Sequence, residues 1–302
     1  MKQENSNIRP LTLDNMSNYL SPNFYQNKNN FFLEHNFGIV LHHQASDSFA
    51  LPTHEPLQTA ESRIGYITAG EADYNINMVD LHVQKGDIIM LSRGTIIEWE
   101  KISPDFQFNG FAFSDELCQQ AFGGTPPPMF NRYMTYYRIQ ANEQYQETLK
   151  QMLQAMWDVT QLPNFPRVLL ESMVKTALIF LQWLIDKEQH KPSLKISHEQ
   201  QIFNDFLQLV NLHAAEQHNL PFYADKLCLT PRYFSNIVKK VSGLSGKEWI
   251  DRALIVRAKV MLRHSDKQIA QISDSLGFPN CSLFCRFFRS HTGMSPGDYR
   301  TT

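Results

Sequence analysis

A chain of 302 residues that is 42% hydrophobic and 19% charged can bury ordinary cores in one to three domains, and its composition excludes a disordered or supercharged polymer. Four scattered cysteines, Cys118, Cys228, Cys281 and Cys285, exclude a disulfide framework and predict reduced thiols. The net charge of −2 is unevenly spread: residues 219–302 hold 13 Lys/Arg against 6 Asp/Glu, a net of +7, and the remainder holds 15 against 24, a net of −9. A basic end on an acidic body suits a chain of which one domain meets a polyanion, although solvated faces that simply differ account for it equally well.

Residues 1–30 are polar and Asn-rich and predict an irregular segment. The opening MKQENSNIRP has no apolar run, so no secretion signal is expected. The longest apolar stretch, 168–185, is interrupted by Glu171, Lys175 and Gln182. It predicts a buried or interface helix and not a membrane span, and a cytoplasmic location with no membrane partner is the expectation. From 31 to 125 the pattern changes to short β-branched and aromatic runs broken by Gly, Pro and Asp: 63–68, 73–78, 81–83 and 87–91. Their spacing of roughly ten residues predicts an antiparallel sandwich or barrel. Tyr66, Tyr74, Trp99 and Phe111 are candidates to line an effector pocket there, and equally candidates for core.

Pro126-Pro127-Pro128 closes that region. Residues 126–190 read as a helical dimerisation or packing segment with two helices. One spans 144–159, with Leu149, Met152, Leu153, Met156 and Trp157 at helical spacing; the other spans 167–187 and is apolar on more than one face. Burial against the barrel and a dimer interface both explain the second helix. A polar linker is expected at 191–199, and 200–302 reads as all helix.

The last region contains an internal repeat. Ala224, Leu227 and Leu229 match Ser273, Leu276 and Phe278 at an offset of 49; Phe234, Val238, Lys239, Gly243 and Ser245 match Phe284, Phe288, Arg289, Gly293 and Ser295 at an offset of 50. A one-residue insertion in the second turn explains the change. Each copy has the chemistry of a helix-turn-helix. A small residue, Ala224 or Ser273, lets a second helix cross closely. A tight turn follows, with Gly277 suited to positive φ. Thr230 before Pro231, and Asn280 in the other copy, are N-caps. Phe234, Ile237, Val238 and Val241 form the inward stripe of one second helix; Phe284, Phe287, Phe288 and His291 form that of the other. Arg232, Ser235, Asn236, Lys239 and Lys240 lie outward in the first, and Ser282, Cys285, Arg286 and Arg289 in the second, with Cys281 at the helix start. Short polar groups and arginines on an exposed helix suit the major groove, where Arg pairs with guanine and Asn with adenine. The alternative is a helical bundle with a basic surface. A helix from Lys247 to Arg263 is expected to hold the two units apart.

An enzyme reading would draw on His42, His43, His54, Glu55 and Glu98 as ligands, but their spacing matches no metal motif. Cys281 and Cys285, one helical turn apart, could share a metal or sense oxidation; free thiols facing DNA or solvent are the simpler reading. Gly-rich phosphate loops, serine–histidine triad patterns and zinc-finger spacings are absent from the sequence. No catalytic residue, cofactor or metal is expected.

With these residues in hand, the stretch 200–300 resembles the AraC/XylS family of bacterial transcription regulators. The resemblance rests on Gly277-Phe278, Ser282, Phe284, Arg286, Phe288-Arg289 and the ending Thr292-Gly293-Met294-Ser295-Pro296, Tyr299-Arg300. It implies seven helices with two helix-turn-helix units joined by a long helix, entering neighbouring major-groove segments. By position in the motif it implies base contacts from Arg232, Ser235, Asn236, Cys281, Ser282 and Arg286. Phosphate contacts are expected from Lys239, Lys240 and Arg289. Cys281 and Leu283 stand where the family often has polar residues. The N-terminal half resembles a cupin-like sensor barrel through Leu81–Leu91, with Gly86-Asp87 at its turn, followed by Gly94-Thr95. Metal-binding cupins place histidine soon after such a turn, whereas Ile96-Ile97-Glu98-Trp99 stands here.

The expected fold class is therefore α+β in two domains: a cupin-like β-barrel (31–125) with trailing helices, then an all-α domain (200–302) with two helix-turn-helix motifs. The expected function is a sequence-specific transcription regulator, more often an activator in this family. Its expected partners are double-stranded DNA, a small-molecule effector, a second copy of the chain and RNA polymerase. A barrel serving only dimerisation or partner contact is the remaining alternative.

Overall fold

Alternation of apolar and polar residues in 57–113 builds short strands, because period-two side chains reach opposite sheet faces. A computed structural model describes residues 11–14, 30–44, 56–125, 127, 129, 136–189 and 197–301. They fall into two compact units, one within 11–195 and one within 196–302.

Among the described residues, the first unit has ten strands: β1 (Phe31–Leu33), β2 (Phe37–Gln44), β3 (Leu57–Gln58), β4 (Ser62–Ala69), β5 (Glu71–Ile76), β6 (Val79–Gln84), β7 (Asp87–Leu91), β8 (Ile96–Ile102), β9 (Gln107–Phe113) and β10 (Tyr136–Gln140). They form two antiparallel sheets, ordered β1-β2-β9-β4-β7-β10 and β3-β8-β5-β6. The Gly86-Asp87 turn is structural. Gly86 adopts φ +93, a region that favours glycine. The buried Asp87 carboxylate accepts from Gln84 N and from Arg138 Nε, both at 2.9 Å. Arg138 belongs to β10, which pairs with β7. This strand lies inside the segment expected to be purely helical: Tyr136-Tyr137-Arg138-Ile139-Gln140 alternates, but five residues are too few to outweigh the helical pattern around them.

Helix α1 (Asp115–Phe122) lies between β9 and β10, and α2 (Glu143–Thr160) and α3 (Arg167–Gln189) follow β10. Leu149, Leu153 and Met156 of α2 and Leu170, Val174, Leu178 and Leu181 of α3 join Phe37, Ile39, Ile88 and Met90 in one core. Helix α3 is long and apolar enough, by length and composition, to cross a bilayer. Its buried positions form a stripe packed with α1, α2 and β10, while Val168, Leu169, Ile179 and Trp183 stay exposed. Of the expected irregular segment 1–30, residues 11–14 and 30 are described: Leu11 and Leu13 are buried, and Leu11 bridges to Thr59. Residues 191–196 of the expected linker lie outside the described residues.

The second unit holds α4 (His198–His213), α5 (Leu220–Lys226), α6 (Pro231–Ser242), α7 (Gly246–His264), α8 (Ile269–Ser275), α9 (Cys281–Thr292) and α10 (Pro296–Thr301). Helix α7 packs against α4, α6, α8, α9 and α10, so it is the shared spine of both helix pairs.

Candidate nucleic-acid interface and ligand cavity

The pairs α5/α6 and α8/α9 are the two helix-turn-helix units, and their repeated residues do the same physical work. Ala224 and Ser273 are fully buried, as the close crossing of two helices requires. Thr230 caps α6, its Oγ1 accepting from Tyr233 N at 3.4 Å; Asn280 caps α9, its Oδ1 accepting from Leu283 N at 2.9 Å. Gly243 and Gly293 close the helices at φ +75 and +77. Past each glycine the duplication continues. Ser242 Oγ donates to Val238 O at 2.7 Å and Thr292 Oγ1 to Phe288 O at 2.8 Å. Ser245 and Ser295 then cap α7 and α10 by accepting from Glu248 N and Asp298 N. Hydrogen bonds from the Ser245 backbone and side chain hold Glu248 below the usual carboxylate pKa.

Beneath these helices lies an aromatic floor. Phe234 stands 5.0 Å from Phe206, and Phe284 stands 5.4 Å from Phe278 and 6.0 Å from Phe288. Phe234, Ile237 and Val238 are buried on α6, and Phe284 and Phe288 on α9. The inward assignment of His291 is corrected: it is exposed, its ring 4.4 Å from Phe287 and its Nδ1 2.9 Å from Phe287 O. Its position lies in the final turn of α9, beyond the buried pair Phe284 and Phe288, so the apolar stripe reaches the rim there.

With the floor buried, the remaining faces point to solvent. Arg232, Asn236, Lys239 and Lys240 are exposed on α6; Ser282, Arg286 and Arg289 are exposed on α9. Ser235 and Cys281 are half-buried. Three of these side chains already have partners. Ser235 Oγ donates to Pro231 O at 2.7 Å, and Lys240 Nζ lies 2.8 Å from Glu199 of α4. The Glu199 contact was not legible from sequence, because 41 residues separate the pair. Cys281 and Cys285 face each other with Sγ atoms 3.9 Å apart, and burial together with Cys281 pushes the Cys285 thiol pKa up.

The basic surplus of this unit is partly internal. Arg257 donates to Asn211 O and burial lowers its pKa. Arg300 donates to Leu262 O at 3.2 Å and Lys267 O at 2.7 Å. Lys247 pairs with Asp251, while Arg252 lies over Trp249 and Arg263 over Tyr299. Arg232, Lys239, Lys240, Arg286 and Arg289 stay exposed on the second helices, and Lys226, Lys247 and Arg252 stay exposed on α5 and α7. His218, which the sequence did not single out, ties the loop after α4 to the second unit: its Nε2 is 2.9 Å from Leu276 O and its ring 5.3 Å from Phe278.

In the first unit, a cavity of about 160 Å³ is lined by residues of both sheets. Tyr74, Trp99 and Phe111 line it, as expected; Tyr66 does not. Tyr66 is buried in the core shared with α2, where its hydroxyl donates to Gln146 Oε1 at 3.1 Å. A tyrosine in a strand that can bury either face gives no sign in sequence of which face the helices will cover. Tyr74 and Trp99 lie 4.5 Å apart, and burial raises the Tyr74 hydroxyl pKa. Arg63 also lines the cavity, and no local pattern marks it for that place. Of the histidines weighed as ligands, His43 is buried 5.0 Å from Phe108. His54 and Glu55 lie outside the described residues, which contain no cluster of three metal-ligating side chains.

Residues 223–302 match a family model described as a helix-turn-helix domain. The regulatory protein PocR of Salmonella typhimurium is 36% identical over 94 residues, covering 31% of each chain. The transcriptional activator RhaS of Escherichia fergusonii is 26% identical over 198 residues, covering 66% of each. The chain thus spans less than two thirds of either relative's length. A structure of ToxT from Vibrio cholerae is 13% identical at a TM-score of 0.38, covering 88% of this chain and 98% of that one. These matches show a helix-turn-helix domain over residues 223–302 of the chain.

Proposed function

We propose that this protein is a sequence-specific DNA-binding transcription regulator, and more specifically an activator. The observation that carries the reading is the duplicated, capped helix pair with exposed Arg232, Asn236 and Lys239 on one second helix and Ser282, Arg286 and Arg289 on the other. Arg232, Ser235, Asn236, Cys281, Ser282 and Arg286 are assigned to bases. Lys239, Lys240 and Arg289 are assigned to phosphates, which position without specifying. Helix α7, 19 residues and so about 28 Å long, supports a fixed separation of the two units near one turn of DNA, about 34 Å. That PocR is a regulatory protein and RhaS a transcriptional activator supports the same reading.

The barrel cavity supports a small-molecule effector, whose differential affinity would shift the population between active and inactive states. The exposed apolar residues of α3, Ile179 at 52% and Trp183 at 47%, support homodimerisation through that face. RNA polymerase is the partner that activation calls for, and the cytoplasm is where a regulator of this kind meets DNA. Nothing in this reading calls for catalysis, a cofactor or a metal.

Selection of binding sites from random duplexes by the full chain tests the proposal. The expected product is a bipartite site with half-sites about 10 base pairs apart, bound with steep salt dependence. Recovery of no enriched sequence, or binding insensitive to salt, would refute it.

A further inference from the structure

The lining of the barrel cavity defines the chemistry of its occupant, on the reading above that the barrel senses a small molecule. Apart from Arg63, the lining side chains carry no charge, and Ile89, Ile97, Trp99, Phe108 and Phe111 dominate it. A sugar or other polyol would bring several hydroxyls to a wall whose only polar side-chain groups are Arg63, the Tyr74 hydroxyl and the Trp99 indole N–H, and each hydroxyl left unpaired there weakens binding. The volume of about 160 Å³ compares with an engineered cavity of about 150 Å³ that accepts benzene.

Arg63 sets the polar requirement. Its guanidinium donates from Nη2 to Leu11 O at 3.1 Å and to Glu61 Oε2 at 3.2 Å. Its Nε is buried with no hydrogen-bond partner. A buried donor of this kind calls for an acceptor. The acceptor need not be an anion, because Glu61 already balances the charge: its side chain is 8% exposed, and its Oε1 accepts from Leu13 N at 3.0 Å. A carboxylate brought beside this pair would leave one net negative charge in a low-dielectric wall, without compensation.

We propose that the cavity binds a small uncharged molecule of about one aromatic ring with a short substituent, which presents a single hydrogen-bond acceptor to Arg63.

Four probes on the unaltered full-length chain, read by titration calorimetry, test this: acetophenone (ring and neutral acceptor), ethylbenzene (no acceptor), benzoate (anion) and a pentose. Acetophenone is expected to bind roughly tenfold tighter than ethylbenzene, equivalent to about 1.4 kcal/mol, and tighter than benzoate; the pentose is expected not to bind. Equal binding of acetophenone and ethylbenzene overturns the role of Arg63. Benzoate binding tightest overturns the neutral-ligand claim, and binding of the pentose alone overturns the ligand class. Binding of none of the four overturns the proposal as a whole. Glu61→Gln, which removes the balancing charge, is expected to move the preference toward benzoate; an unchanged order in a folded variant counts against the charge argument. The sensing reading is separated by repeating the DNA titration with the best probe bound. A probe that binds as described but leaves DNA affinity unchanged sinks the sensing reading and leaves the ligand class standing.

Discussion

The two helix-turn-helix units are built from the same parts and differ mainly where they face outward. Their caps, glycine stops, buried phenylalanines and trailing serine caps coincide residue by residue at the offset of 50. The turns share a left-handed position but not the residue that fills it: the first places Cys228 at φ +56, the second Gly277 at φ +69. The outer faces also diverge, with Arg232, Asn236 and Lys239 in one and Ser282, Arg286 and the facing pair Cys281 and Cys285 in the other. The common parts are those a crossing pair of helices needs in order to pack and end. The divergent parts are free of that need, and on the proposed function each unit would contact a different half-site.

The comparison can be broken most directly in the floor. Phe234→Ala and its counterpart Phe284→Ala are each expected to cost about 3–5 kcal/mol of local stability, read as lost amide-exchange protection in α6 and α9 respectively. A cost below 1 kcal/mol in only one of them would show that the units are not energetically equivalent. Next come the outer faces. Arg286→Ala should cost about 1–3 kcal/mol of DNA affinity and relax preference at one base position in one half-site. Asn236→Ala should do the same in the other half-site. Unchanged preference in a selected-site competition would remove that face from the interface.

The turns should respond with opposite signs. A Cβ at Gly277 would meet Ala215 O at 2.6 Å, in a backbone region that L side chains rarely adopt, so Gly277→Ala should lose about 1–3 kcal/mol. Cys228→Gly relieves the same backbone region without such a contact and should gain at most about 1 kcal/mol. Thermal unfolding of the full chain decides; equal signs would contradict the geometry. The smallest effect is electrostatic. Lys239→Ala should weaken binding evenly across sequences and reduce the salt slope by about 1. Lys240→Ala should do less, because Lys240 lies 2.8 Å from Glu199. A larger loss at Lys240 would show that DNA displaces Glu199.

Much of the candidate interface was legible because helical periodicity and capping are local. Thr230, Asn280, Gly277 and the outward placement of Arg232, Arg286 and Arg289 needed only neighbours within a few residues. His291 was misplaced because periodicity assigns a face but not the point at which the core beneath it ends. Strand β10 and the position of Tyr66 escaped for a related reason. Alternation in a strand identifies two faces, and here both have something to pack against: helices on one side and the second sheet on the other.

Local chemistry by itself therefore determined the repeat, the caps, the two exposed reading faces and the β-then-α order of the chain. Tertiary structure alone decided which basic residues stay available, by drawing Arg257, Arg300 and Lys240 to partners 33 to 46 residues away. It also decided that Arg63, paired with Glu61 two residues before it, stands in the wall of an apolar cavity. Side-chain charge and burial at that distance depend on which elements meet, and short-range pattern carries no record of it.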